Sequence, residues 1–210
     1  MAGLGIGPEE FALFRIPDPD QRADALEARL QPTLDRLATE LVAGLSRVAG
    51  EPLLVHPVRP LRRKDVAPEE LLVAFGASDK GYRAGPYLAV AVTRAQLHAR
   101  VAVRASADRD GVMRRALDRE APNLARKGKP FRKLRSYSGW DYEDLPEVAP
   151  AHSAAFWREL ADELAPDGYG NGGVDVGIAW STEEARSLSI GDVLGVFRDL
   201  APLYKLLANA

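Results

Sequence analysis

The apolar positions of this chain follow two periods. Leu26, Leu30, Leu34, Leu37, Leu41, Leu45 and Val48 recur at spacings of three and four, which is one stripe on one helix. Asp18-Pro19-Asp20-Gln21 opens that helix: Asp18 suits the cap, Pro19 the first helical position, and Gln21 can reach back. Gly50 is a natural stop. Pro32 interrupts the stripe, removes one backbone donor and crowds the carbonyl of Ala28, so a kink or a restart is expected; the unbroken stripe favours a kink. A short helix around Pro8–Phe14 precedes.

A period of two takes over in four runs, Leu53–Val58, Leu71–Ala77, Tyr87–Val92 and Leu97–Arg104, the last two joined by a hairpin-length connection at Thr93–Gln96. Val174, Val176, Ile178 and Trp180 alternate with Asp175, Gly177, Ala179 and Ser181 and predict a fifth strand. Helices are expected from Asp108 to about Leu117 (Val112, Met113, Ala116 and Leu117 inward) and over Ser153–Leu164 (Phe156, Trp157, Leu160 and Leu164 inward). Ser181-Thr182-Glu183-Glu184 is a capping box. A last helix from Ser189 presents Ile190, Val193, Leu194, Phe197, Leu200, Leu203, Tyr204 and Leu207, with Pro202 as a second kink. The fold class is therefore α+β: a mainly antiparallel sheet, a meander of four strands plus a later fifth, packed against helices. No repeat and no boundary divides the chain, so residues 1–210 read as a single domain, with Gly3–Gly7 as a mobile terminus.

Composition narrows the chemistry. A chain of 210 residues buries roughly 70% of its unfolded surface and needs no staple. It has no cysteine, which excludes disulfides, thiolate zinc sites and cysteine nucleophiles. The first residues lack a basic stretch followed by an unbroken apolar one, and no apolar run spans a bilayer, so the expected location is the cytoplasm, with no membrane partner. A net charge of −2 weighs against a nucleic-acid partner. No phosphate-loop string, zinc-protease motif or nucleophile elbow is present. Gly168–Gly173 leads into a strand and reads as a turn. Three histidines at distant positions give no metal-ligand spacing, and no cofactor is expected.

Several strings, taken in order, carry a resemblance: Phe11-Ala12-Leu13-Phe14-Arg15-Ile16-Pro17, Arg29-Leu30-Gln31-Pro32, Val55-His56, Arg62-Arg63, Val73-Ala74-Phe75, Lys80-Gly81-Tyr82-Arg83, Pro86 and Pro202-Leu203-Tyr204-Lys205. The chain resembles the YktB-like family of uncharacterised bacterial proteins, firmly over residues 8–104 and 189–206 and by element order alone over 105–188. The resemblance implies an α+β fold with a mainly antiparallel sheet, and no activity. Where the family usually carries a Lys and a second His after the position of His56, this chain has Arg59 and Pro60.

The hairpin sorts side chains by face. If Val92 pairs with Leu97, then Leu88, Val90, Val92, Leu97, Ala99, Val101 and Val103 form the core face. Tyr87, Ala89, Ala91, His98, Arg100, Ala102 and Arg104 share the other, which is small in the middle and basic at the edge. It fits either a shallow groove for an anion or an alanine-biased face under a close-packed helix. His56, Arg59, Arg62, Arg63, Arg94 and His98 are expected at the end carrying the 59–70 loop and the 93–96 turn, with Arg100 on the same face; Lys80, Tyr82, Arg83 and Arg104 fall at the opposite end. A seven-residue strand is roughly 23 Å long, so the two groups join only if a loop folds over the sheet.

Three readings follow. The preferred one is a non-catalytic domain binding an anionic small molecule or a protein partner, with arginine forks at His56, Arg59, Arg62, Arg63, Arg94, His98 and Arg100. Lys80, Tyr82 and Arg83 form a secondary group. The second is a small enzyme using His56 or His98 as acid or base beside the arginine pair. The third is single-stranded nucleic-acid binding through residues 126–142, where basic residues from Arg126 to Arg135 precede Tyr137, Trp140 and Tyr142.

Overall fold

The computed structural model describes residues 3–60, 66–128, 131, 133–136, 153–165 and 173–210. It is an α+β fold in which helices cover one face of an antiparallel sheet. Six strands, β1 (Leu54–Pro57), β2 (Glu70–Gly76), β3 (Tyr87–Thr93), β4 (Gln96–Arg104), β5 (Arg135–Ser136) and β6 (Gly173–Ser181), lie in the order β1-β2-β3-β4-β6-β5. The four-strand meander and the later strand are as the alternation predicts; β5, two residues long at the sheet edge, gives no period to read.

The register is the one the hairpin pattern implies: Val92 pairs with Leu97, Val90 with Ala99 and Leu88 with Val101. Thr93 closes the turn, its Oγ1 accepting from the Ala95 and Gln96 amides at 3.4 and 3.2 Å. A one-residue slip would turn every valine of the core face outward, so burial of that face locks the pairing.

The helical layer starts with α1 (Pro8–Ala12). Helices α2 (Pro19–Ala25) and α3 (Gln31–Ala49) follow, joined by a π-helical turn at Leu26–Leu30. Asp18 caps α2 by accepting from the Gln21 amide at 2.8 Å. Pro32 lies in the first turn of α3, and the wider π-helical turn stands just before it. The conflict between Pro32 and the preceding carbonyls is thus absorbed without breaking the Leu26–Leu45 stripe, all of which is buried. Gly50 ends α3 at φ 83°, a left-handed value that favours glycine.

Helix α4 (Val112–Ala125) runs eight residues beyond the predicted end at Leu117, with Pro122 inside it. Asp108 caps it with both carboxylate oxygens, from the Met113 and Arg114 amides, and Val112 is exposed rather than inward. Helix α5 (Ala154–Asp162) buries Phe156, Trp157 and Leu160 as its spacing predicts. The capping boxes at Ser181 and Ser189 open α6 (Thr182–Ala185) and α7 (Ile190–Ala208). Residues 3–7, whose glycines suggest mobility, bury Leu4 and Ile6 and bond Leu4 to Leu188 through the backbone.

One large cluster joins the core face of the sheet to these helices. A second, smaller cluster of Leu72, Ala74, Tyr87, Ala89, Ala91 and Ala102 occupies the other face, with Val58 and Tyr82 packed on it. No α-helical residue among the described residues belongs to it. No helix among the described residues is long and apolar enough to cross a membrane.

Candidate functional site

The candidate site is built on the second sheet face. Strand alternation puts His56, Ala74, Ala89, Arg100, Gly177 and Arg135 in one row across the sheet. The neighbouring row towards the 77–86 connection is Leu54, Gly76, Tyr87, Ala102 and Asp175. Alanine and glycine in the middle of the first row, and on either side of Tyr87 in the second, leave room for long side chains to lie flat on the sheet.

Arg100 uses that room. It is 2% exposed, and its Nη2 lies 2.6 Å from Glu70 Oε2 while its Nε lies 3.3 Å from Asp175 Oδ1. Two carboxylates from different strands therefore share one guanidinium. Asp175 sits between two close approaches of β6 to β4. A side chain at Gly177 would run into the Ala99 carbonyl and the Arg100 Cα and Cβ, and one at Gly173 into the Val103 carbonyl. Burial pushes the Asp175 carboxyl up to about 6; Arg100 opposes the rise and Glu70 adds to it.

His98 is fully buried, and burial followed by the charges of Arg100 and Arg135 holds its imidazole well below the usual range. It is uncharged at neutral pH. His56 and His98 stand on strands separated by β2 and β3, three strand spacings or roughly 14 Å apart. The structure does not bring the two histidines together.

It does bring His56 to the opposite group. The turn at Tyr82–Ala84 folds back over the sheet, and the Tyr82 ring packs edge-on to Tyr87 at 4.9 Å between centroids and 6.4 Å from His56. Arg83 donates from Nε to Tyr82 Oη at 3.1 Å, and its guanidinium carbon lies 5.5 Å from the ring centre. Arg104, half-buried, bears on Tyr87, Asp175 and Tyr82. Tyr87 Oη and His56 Nε2 are buried without a hydrogen-bond partner. Burial, then the negative charge of Asp175, raises the Tyr87 phenol above its ordinary value, so it stays a donor.

The remaining predicted residues are spread out. Arg59 is exposed, 3.6 Å from Glu27, and Arg94 is exposed in the β3–β4 turn. Lys80 is exposed. Glu69 is engaged by Arg22 at 2.7 Å. Arg62 and Arg63 lie outside the described residues, as do His152, Tyr137, Trp140 and Tyr142. Tyr87, Arg104, Glu70 and Asp175 were not among the predicted site residues. The signal for Asp175 was available: an acid in mid-strand between valines, with glycine two residues away on each side.

The comparisons with known proteins agree with the strings noted above. Residues 7–156, well over half of the chain, match the family described as a domain of unknown function, DUF1054. A UPF0637 protein of Bacillus cytotoxicus is 31% identical over 81 residues, 39% of each chain. One from Staphylococcus saprophyticus is 29% identical over 90 residues, 43% of this chain and 44% of the relative. One from Oceanobacillus iheyensis is 27% identical over 88 residues, 42% and 43%. The chain thus spans about two fifths of the length of the curated relatives it matches. The chain belongs to the DUF1054 family, the YktB-like group of bacterial proteins.

Proposed function

We propose that the chain is a cytoplasmic, non-catalytic domain that binds a small anionic molecule on its second sheet face, where His56, Tyr82, Arg83, Tyr87 and Arg104 converge. The observation that carries this reading is that two buried polar atoms, Tyr87 Oη and His56 Nε2, have no partner on a face where Arg83 bonds to the neighbouring Tyr82. A buried donor left unsatisfied costs about 1–3 kcal/mol, and native proteins keep few of them. An anion accepts from a phenol and from a guanidinium at once, and that relieves the cost.

The test is thermal stability of the purified protein against a panel of phosphate, nucleotides and carboxylates at constant ionic strength. At least one anion should raise the melting temperature with a saturable dependence. The increment should be lost in a His56→Ala, Arg104→Ala double variant whose circular dichroism matches the parent. An Arg62→Ala, Arg63→Ala double variant asks whether that pair takes part. No stabilisation by any anion would overturn the proposal.

A further inference from the structure

We infer that the outer edge of β1 is a dimer interface. A second copy of the chain adds its own β1 there, antiparallel, about a two-fold axis through Val55, so that Glu51 of each copy meets Arg59 of the other.

The first observation is the edge itself. β1 ends the sheet, so its outer side offers an unpaired row of backbone donors and acceptors. Leu54 and Val55, adjacent on it, are 44% and 36% exposed. The strand from Leu54 to Pro57 contains no lysine, arginine or acid of the kind that guards an edge kept single. The charges stand just outside it, Glu51 before and Arg59 after.

The second is where those charges sit. Val55 pairs with Phe75 of the large core. Glu51 Oε1 accepts from Tyr204 of α7 at 2.8 Å, and Arg59 lies 3.6 Å from Glu27 in the π-helical turn. Glu51, Val55 and Arg59 therefore share the helix-covered side of the edge, with Val55 midway between the two charges. An antiparallel pair centred on Val55 matches residues equally far from it on either side: Leu54 with His56, Leu53 with Pro57, and Glu51 with Arg59.

The third is that this register satisfies what it covers. Two-fold symmetry forms the Glu51–Arg59 contact twice. The Arg59 side chain is 64% exposed and can turn to it, while Tyr204 holds one oxygen of a Glu51 carboxylate that accepts at both. Leu53 already donates its N–H to Ser46 Oγ at 3.0 Å, and Pro57, set against it, has none, so no backbone donor is buried against the proline ring. A slip of one residue would set Glu51 against Val58 or Pro60 and lose both ion pairs. The interface is self-complementary, so assembly on this edge closes at two copies.

Sedimentation equilibrium of the full chain at up to about 100 μM tests this, with a dimer expected at the upper end. Val55→Lys sets two ammonium groups against each other at the axis and should leave a monomer throughout. Glu51→Arg alone and Arg59→Glu alone should each weaken the dimer about tenfold or more, because two attractive contacts become repulsive. An equimolar mixture of these two variants should regain the parent's dimer, since the like charges within each become opposite charges between them. Recovery on mixing separates the contact from any loss of fold in Glu51→Arg, which also gives up the bond to Tyr204. A parent that stays monomeric overturns the proposal. So does a dimer that survives Val55→Lys, or a mixture that dimerises no better than its components.

Discussion

Arg100 on β4 reaches across β3 to Glu70 on β2, Nη2 to Oε2 at 2.6 Å, with both side chains largely out of water. The contact spans two strands because the residues beneath it, Ala89 and Ala91, are small. Removing the guanidinium leaves Glu70 and Asp175 buried without their shared counter-charge. Arg100→Met is therefore expected to destabilise the protein by about 3–5 kcal/mol in urea unfolding at pH 7. A cost below about 1 kcal/mol would show that the two carboxylates are not held by Arg100.

Stability should carry two opposed pH dependences. Asp175 has a folded pKa of about 6, above its unfolded value of about 3.9. Between those values the folded state holds a proton that the unfolded state has released, so this contribution is full below about pH 4 and is lost as pH rises through 6. It amounts to at most roughly 3 kcal/mol, and Asp175→Asn should remove it. His98 runs the other way. Its folded pKa lies below the ordinary 6.5, so its contribution is full above that value and is lost as pH falls. His98→Gln should flatten the acid limb of the stability curve. Denaturation midpoints measured from pH 4 to 8 on the parent and both variants separate the two.

Gly177 is required by the close approach of β6 to β4. A methyl group there collides with the Ala99 carbonyl and the Arg100 backbone, which cannot move aside as a side-chain tip would. Gly177→Ala should cost about 1–3 kcal/mol, whereas the same change at Gly195, inside α7 with nothing within 4 Å, should stabilise by about 0.5–1 kcal/mol. Equal effects at both positions would contradict the packing.

Tyr204 donates to Glu51 Oε1 at 2.8 Å and so ties the last helix to the chain just before β1. Burial, then the bond to Glu51, raises its phenol above the ordinary value. Tyr204→Phe keeps the ring in the core and removes the bond, with an expected cost of about 1–2 kcal/mol by thermal or urea unfolding.

These residues also show what a sequence reveals. The β3–β4 register was legible because two alternating runs and a short turn admit one pairing that buries every valine. The leucine stripe of α2–α3 and the caps at Asp18, Ser181 and Ser189 were legible for the same local reason. The meeting of His56 with Tyr82 was not. It depends on how the 77–86 connection folds back, and that stretch has no period to read. The length of α4 was hidden by its polar faces and by Pro122, and β5 by its brevity. Glu70 and Asp175 read as ordinary strand-end and strand acids until the sheet order put β2 and β6 on either side of Arg100.

The sheet keeps its two accounts separate. Leucines and valines on one side answer to the helices, whereas Leu72, Tyr87 and four alanines on the other form a cluster no α-helix enters among the described residues. Side chains on that second side that stand apart from the Arg100, Glu70 and Asp175 contact, such as Tyr82 and Arg83, can thus vary without repacking the helical core. Divergent recognition on an unchanged frame is what such a two-sided sheet permits.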